Sequence, residues 1–132
     1  MTTEEIGGGR GKRTGRRIIS TEPLRVEASF EDMTKLLGLD GINIGTYVAT
    51  TKSDGSLYGE GEGIFSSLGG DMTTWKALGT GNFGLDGSVR YRGSLSFKIT
   101  ASKLASLNGT PVVYEFSIDS QGTTHSQLWA WK

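Results

Sequence analysis

The sequence predicts an all-β fold, an eight-stranded antiparallel meander closed into a barrel, with one short helix or lid segment near 102–107. Three observations carry that expectation. Segments 57–65, 75–83 and 89–97 carry glycine at alternate positions among apolar and aromatic residues: Gly59, Gly61 and Gly63; Gly79 and Gly81 after Trp75 and Ala77; and Gly93 between Tyr91 and Leu95. Residues two apart share one face of a strand, so a glycine-rich, aromatic-capped stripe lies on one side of the sheet and charges on the other. Second, runs rich in β-branched and aromatic residues alternate with tight-turn groups such as Ser53-Asp54-Gly55, Gly84-Leu85-Asp86-Gly87 and Asp119-Ser120-Gln121-Gly122. Third, 21 glycines stand beside only 2 prolines in 132 residues, with no Gly-X-Y period, so glycine serves positions within strands and not a collagen or disordered chain.

Taken in order, residues 1–13 are expected to be a flexible basic leader and 14–132 a single barrel domain. The leader follows from Ile6-Gly7-Gly8-Gly9 and from Arg10, Lys12, Arg13, Arg16 and Arg17, which read as a solvated segment. It is not a phosphate loop: Ile6 stands where a glycine is required and Arg13 where Ser or Thr should bind magnesium. Strands are expected near 16–20, 23–30, 42–52, 56–65, 72–83, 88–99, 111–118 and 123–131. A weak helical candidate spans 31–37 before Gly38. A firmer one, 102–107, has Ser102 as cap and Asn108-Gly109 as stop, and is placed as a lid across one barrel end.

Hairpin pairing must keep like faces together, which fixes the central register. Phe65 opposite Thr73 sets Gly63 against Trp75, Gly61 against Ala77 and Gly59 against Gly79, with Glu62 facing Lys76 on the other side. Phe83 opposite Val89 then sets Gly81 against Tyr91, Gly79 against Gly93 and Trp75 against Phe97. A row of Gly59, Gly79 and Gly93 crosses three strands. Such a row either lets strongly coiled strands close a small barrel or leaves volume for a ligand, and both readings stay open. Glu60 and Glu62 beside Lys76, Arg90 and Arg92 read as a salt-bridged surface more than as an acid-base pair.

Pairing Ile118 with Thr123 in the last hairpin brings Phe116 opposite His125, Tyr114 opposite Gln127 and Val112 opposite Trp129. The resulting wall is apolar and aromatic with a few polar points, as small-molecule sites are. The expected ligand-binding residues are Tyr47, Trp75, Tyr91, Phe97, Tyr114, Phe116, His125, Gln127 and Trp129. Tyr47 depends on its turn: a two-residue Asp54-Gly55 turn points Val48 inward, and a three-residue loop points Tyr47 inward.

The chain has no cysteine and one histidine, which leaves no disulfide, no thiolate nucleophile and no expected metal site. No cofactor is expected, and no Ser-His-acid spacing supports hydrolase chemistry. The formal net charge is zero, no apolar run approaches the roughly 18 residues of a membrane helix, and no apolar signal segment opens the chain. The expectation is a cytoplasmic protein without membrane or nucleic-acid partner.

The succession Asp54-Gly55-Ser56-Leu57-Tyr58-Gly59-Glu60-Gly61-Glu62-Gly63, then Thr74-Trp75-Lys76-Ala77-Leu78-Gly79-Thr80-Gly81, Tyr91-Arg92-Gly93-Ser94-Leu95-Ser96-Phe97 and the closing Leu128-Trp129-Ala130-Trp131-Lys132 resembles a group of small, functionally uncharacterised bacterial and archaeal proteins. These are similar to the allene oxide cyclase-like β-barrels, a calycin-like architecture. The resemblance covers roughly 42–132 and implies an eight-stranded barrel, a homo-oligomer (dimer or trimer), and an interior that in some relatives steers a cyclisation of an apolar substrate. No catalytic residue transfers to a position in this chain, and a shared fold does not fix function.

Two functions follow. One is binding of a small hydrophobic or aromatic molecule in the barrel interior, with cyclase- or isomerase-like activity as an extension. The other is a non-catalytic barrel with a filled core that binds a protein partner. A lumen of roughly some hundreds of cubic ångströms favours the first.

Overall fold

A computed structural model describes residues 2–99 and 102–132. Eight strands form a closed antiparallel barrel in which each pairs with its neighbours in sequence and the last with the first: β1 Thr3–Thr21, β2 Leu24–Leu36, β3 Leu39–Thr51, β4 Leu57–Ser67, β5 Met72–Phe83, β6 Val89–Ile99, β7 Val112–Ile118 and β8 Thr123–Trp131. A short 3-10 helix, Ser102–Leu107, lies between β6 and β7. The expected serine cap falls on a side chain outside the described residues, while Gly109 ends the segment with φ of 70°. Leu104 and Leu107 plug one barrel end as the lid was expected to do, packing among Ile6, Leu36, Phe65, Val112, Leu128 and Ala130.

The central registers are those expected: Gly59 faces Gly79, Glu62 faces Lys76, Gly79 faces Gly93 and Trp75 faces Phe97. Four connections share one design. In Lys52 to Ser56, Ser67 to Asp71, Gly84 to Ser88 and Asp119 to Thr123, the first residue's N–H donates to the fifth residue's carbonyl, at 2.7–3.0 Å. The fourth residue of each is a glycine with positive φ (Gly55, Gly70, Gly87, Gly122). This is a three-residue hairpin loop whose glycine takes the left-handed position. In three of them an aspartate carboxylate accepts the nearby amides, as Asp119 does from Gln121 and Thr123.

Three expectations are corrected. Residues 3–13, expected as a flexible leader, form the first part of β1, which pairs with β8 from Thr3 to Lys12 and with β2 from Gly7 to Thr21. The strand removes both edges of the sheet, and its Gly7, Gly9 and Gly11 pair with the buried Leu36, Thr34 and Asp32, where a side chain would collide with β2. Segment 31–37 is strand, not helix. Phe30, Asp32, Thr34 and Leu36 are buried while Glu31, Met33 and Lys35 are exposed, a period of two. It ends in a two-residue turn, Leu37 (φ 49°) and Gly38 (φ 81°), both in the left-handed region that such a turn demands. Third, Ile118 pairs with Thr124 rather than Thr123, because Asp119 is not a loop residue but pairs with Thr123 across the three-residue loop 120–122.

Candidate functional site

The interior is built from alternate residues of every strand, and it divides by chemistry. Towards the lid it is aliphatic. In the other half, β2 contributes Phe30, β3 Tyr47, β5 Trp75, β6 Tyr91 and β7 Phe116, whose rings touch one another: Phe30 and Phe116 at 4.9 Å between centroids, Tyr47 and Tyr91 at 5.7 Å, Tyr47 and Phe116 at 5.9 Å. The Tyr47 contacts with Tyr91 and Phe116 are edge-on, at 69° and 81°, a favourable arrangement for ring quadrupoles.

The glycine stripe makes this cluster possible. A β carbon at Gly59 or Gly81 would meet the Tyr91 ring at 3.2 or 2.7 Å, and one at Gly45 or Gly63 would meet the Trp75 indole. One at Gly79 would meet the Tyr114 hydroxyl at 2.5 Å and the Arg92 carbonyl oxygen at 2.7 Å. The space vacated by missing side chains is therefore taken largely by aromatic rings lying flat over bare backbone, a third use of the row beside barrel closure and ligand room. What remains is a cavity of about 80 Å³ lined by the aromatic cluster together with Thr34, Asn43, Leu95, Phe97, Tyr114 and Ser126.

Of the expected site residues, the structure brings Tyr47, Trp75, Tyr91, Phe97, Tyr114 and Phe116 to this cavity. The three-residue loop after Lys52 turns Tyr47 inward, opposite Gly61. His125, Gln127 and Trp129 are not there. The one-residue shift of β8 turns them to the outer face, where His125 and Gln127 are exposed, and places Thr124, Ser126, Leu128 and Ala130 inside. Sequence reasoning missed Phe30, Asp32, Thr34, Asn43 and Ser126. For Phe30, Asp32 and Thr34 the signal was the period of two in β2, masked by helix-forming residues on its outer face, and Ser126 was hidden by the one-residue shift of β8.

The polar part of the lining comes from β2, β3 and β8. Asp32 is 3% exposed. Its carboxylate accepts the Thr34 hydroxyl and is hydrogen-bonded by Asn43, whose own carbonyl oxygen accepts Trp75 Nε1–H at 2.7 Å. Burial raises the Asp32 carboxyl above the usual carboxylate range, against the two hydrogen bonds that lower it. Burial likewise pushes the phenols of Tyr47 and Tyr114 up to about 12 and raises that of Tyr91. Arg13 and Arg16 oppose the shift at Tyr47. The three phenols stay neutral at physiological pH and act as hydrogen-bonding groups, not bases. Among the described residues no group of three His, Cys, Asp or Glu could hold a metal ion, and no helix is long and apolar enough to cross a membrane.

The chain is a closed eight-stranded barrel with an aromatic lumen, and the comparisons agree on the barrel fold. No known family profile and no curated protein sequence matches the chain. Solved structures do. A protein of unknown function from Clostridium acetobutylicum superposes with a TM-score of 0.86 at 12% identity, over 98% of this chain and 96% of its own. A β-barrel-like protein from Acinetobacter baumannii gives 0.83 at 11%, over 99% and 96%. An enzyme from Penicillium herquei gives 0.68 at 11%, over 97% and 93%. At such identities the likeness is one of fold, shared with uncharacterised bacterial barrels as the resemblance implied; its allene oxide cyclase-like part finds no named relative here.

Proposed function

We propose that this barrel binds a small hydrophobic or aromatic molecule in its lumen. The observation that carries the reading is the cavity of about 80 Å³ among Tyr47, Trp75, Tyr91 and Phe116. It falls short of the hundreds of cubic ångströms expected of a ligand-holding lumen and of the roughly 300–1,000 Å³ of sites for larger ligands, so a guest is restricted to a few heavy atoms or one small ring. Rings that meet edge-on over glycine backbone present flat apolar walls, and the neutral phenols and Asn43 add points of orientation. Cyclase- or isomerase-like activity, in the manner of the allene oxide cyclase-like barrels, extends this reading. The lumen offers shape and neutral hydrogen-bonding groups and no strong nucleophile, which suits a reaction steered by conformation. That a barrel from Penicillium herquei is an enzyme supports the scaffold's capacity for an activity.

The second reading, a barrel that serves as an interaction module or homo-oligomer, is favoured by its outer face. Met33 is 65% exposed and lies opposite Ile42 in the neighbouring strand, with Ile44 beyond it 47% exposed. Native mass spectrometry of freshly purified protein tests both. A co-purifying small molecule lost on unfolding supports lumen binding, whereas a ligand-free barrel of multiple copies that takes up no small aromatic guest supports the second reading.

A further inference from the structure

The polar atoms of the lumen are not scattered. Asp32 and Thr34 of β2 and Thr124 and Ser126 of β8 flank the same stretch of β1, with Gly11 paired to both Asp32 and Thr124, and Gly9 paired to both Thr34 and Ser126. Because β1 contributes only glycine there, side chains from the two neighbouring strands face each other over bare backbone. A β carbon at Gly9 would lie 3.1 Å from Asp32 Oδ1 and against Thr34 Oγ1. Asn43, paired with Asp32 across β3, completes the group.

Within this sector one hydroxyl hydrogen and one amide oxygen are already committed. Thr34 gives its single hydroxyl hydrogen to Asp32, so towards the cavity that it lines it has only lone pairs to offer. The Asn43 carbonyl oxygen is taken by Trp75. Behind them, Asp32 Oδ2 and Thr124 Oγ1 are buried with no partner among the described residues. Buried polar atoms are ordinarily satisfied, so the sector holds more polar capacity than the chain itself uses. Apart from Glu60, the remainder of the lining is apolar, aromatic or glycine.

We propose that this sector, with Thr34 Oγ1 as acceptor, recognises one O–H or N–H donor on the lumen's guest, so that the ligand class is a small ring or short chain bearing a hydroxyl, phenol, enol or amine and not a plain hydrocarbon. The inference rests on the lumen-binding reading and specifies what that lumen selects. Asp32 is a positioning residue in this account: it holds the Thr34 hydrogen and thereby fixes the hydroxyl as an acceptor.

Phenol and toluene, near-equal in shape and different in the donor, are the probes. Binding to the full chain is followed by NMR titration of the methyl and aromatic resonances of the lumen. Phenol is expected to bind at least as tightly as toluene, although it is the guest that water holds better. Thr34→Val is expected to lower the phenol-to-toluene affinity ratio by about tenfold with toluene binding retained, and Thr34→Ser to restore it. A merely structural Thr34 would alter both affinities together. If toluene binds more tightly than phenol to the parent protein, or the ratio is unchanged in a folded Thr34→Val, the donor-recognition proposal is overturned while lumen binding stands. If neither probe shifts any lumen resonance, it is the lumen reading that fails. Should Thr34→Val not fold, the comparison of the two probes on the parent protein decides alone.

Discussion

The two halves of the barrel interior are filled by different means. At the lid end, Leu36, Leu104, Val112 and Ala130 are at most 2% exposed, and aliphatic side chains from β2, β7, β8 and the 3-10 segment interdigitate to a closed plug. In the other half, five rings contact one another at tilted and edge-on angles and leave a cavity of about 80 Å³. Branched aliphatics adapt to the spaces between their neighbours, whereas rigid rings locked by edge contacts meet at fixed angles and leave gaps between planes. The cavity is walled mainly by the rings but reaches Leu36, Phe65 and Leu128 of the aliphatic cluster, and Leu95, Phe97 and Tyr114 pack against both halves.

Breaking the seam between the halves has the largest expected effect. Gly79→Val drives a branched side chain into the Tyr114 hydroxyl and the Arg92 carbonyl oxygen, and backbone cannot yield as a flexible side chain does. A loss of about 4 kcal/mol or more, or failure to fold, is expected in chemical denaturation. Leu104→Ala, in the plug and fully buried, should cost about 2–5 kcal/mol and leave affinity for a small guest at the far half nearly unchanged. Phe116→Leu, in the aromatic half, should cost less than Leu104→Ala while admitting larger guests, read by calorimetric melting beside ligand titration. A Phe116→Leu protein with unchanged guest size would contradict the division.

A pH effect sharpens the same comparison. Asp32 is raised from 3.8 in the folded protein, so protons bind it more tightly in the folded state than in the unfolded one. Its contribution to stability is fullest below the unfolded value and declines as pH rises through the window above about 3.8. Asp32→Asn should therefore compare more favourably with the parent at pH 7 than at pH 4 in denaturant titrations, and a pH-independent difference would contradict the burial of the acid. Smallest is His125→Ala. The side chain is exposed on the outer face, so stability should change within about 0.5 kcal/mol and guest binding not at all.

How much of this was legible depended on the turns. Between β4 and β6 the alternation of glycine with Trp75, Tyr91 and Phe97 fixed face and register together, because small residues had to meet large ones across each pair. The same alternation in the last hairpin gave no such check. Counting Asp119 as a loop residue, when it pairs with Thr123 and leaves a three-residue loop ending at Gly122, inverted β8 and wrongly carried His125, Gln127 and Trp129 into the site. The identical loop at Lys52 to Ser56 is what turns Tyr47 inward. Gly7, Gly9 and Gly11 looked like a flexible leader because their partners, Leu36, Thr34 and Asp32, sit some 20 to 30 residues away in a segment whose outer-face Glu31, Met33 and Lys35 favour helix. Local propensity lost there to long-range closure of the barrel.

The most direct test of the account is a crystal of the protein pressurised with xenon, an uncharged probe of small apolar cavities. The account predicts a bound atom in the aromatic half, within contact of Trp75, Tyr91 and Phe116, with the lid-end plug unoccupied. Xenon absent from that cavity, or bound instead against Leu104 and Leu107 of the 3-10 segment, would contradict it.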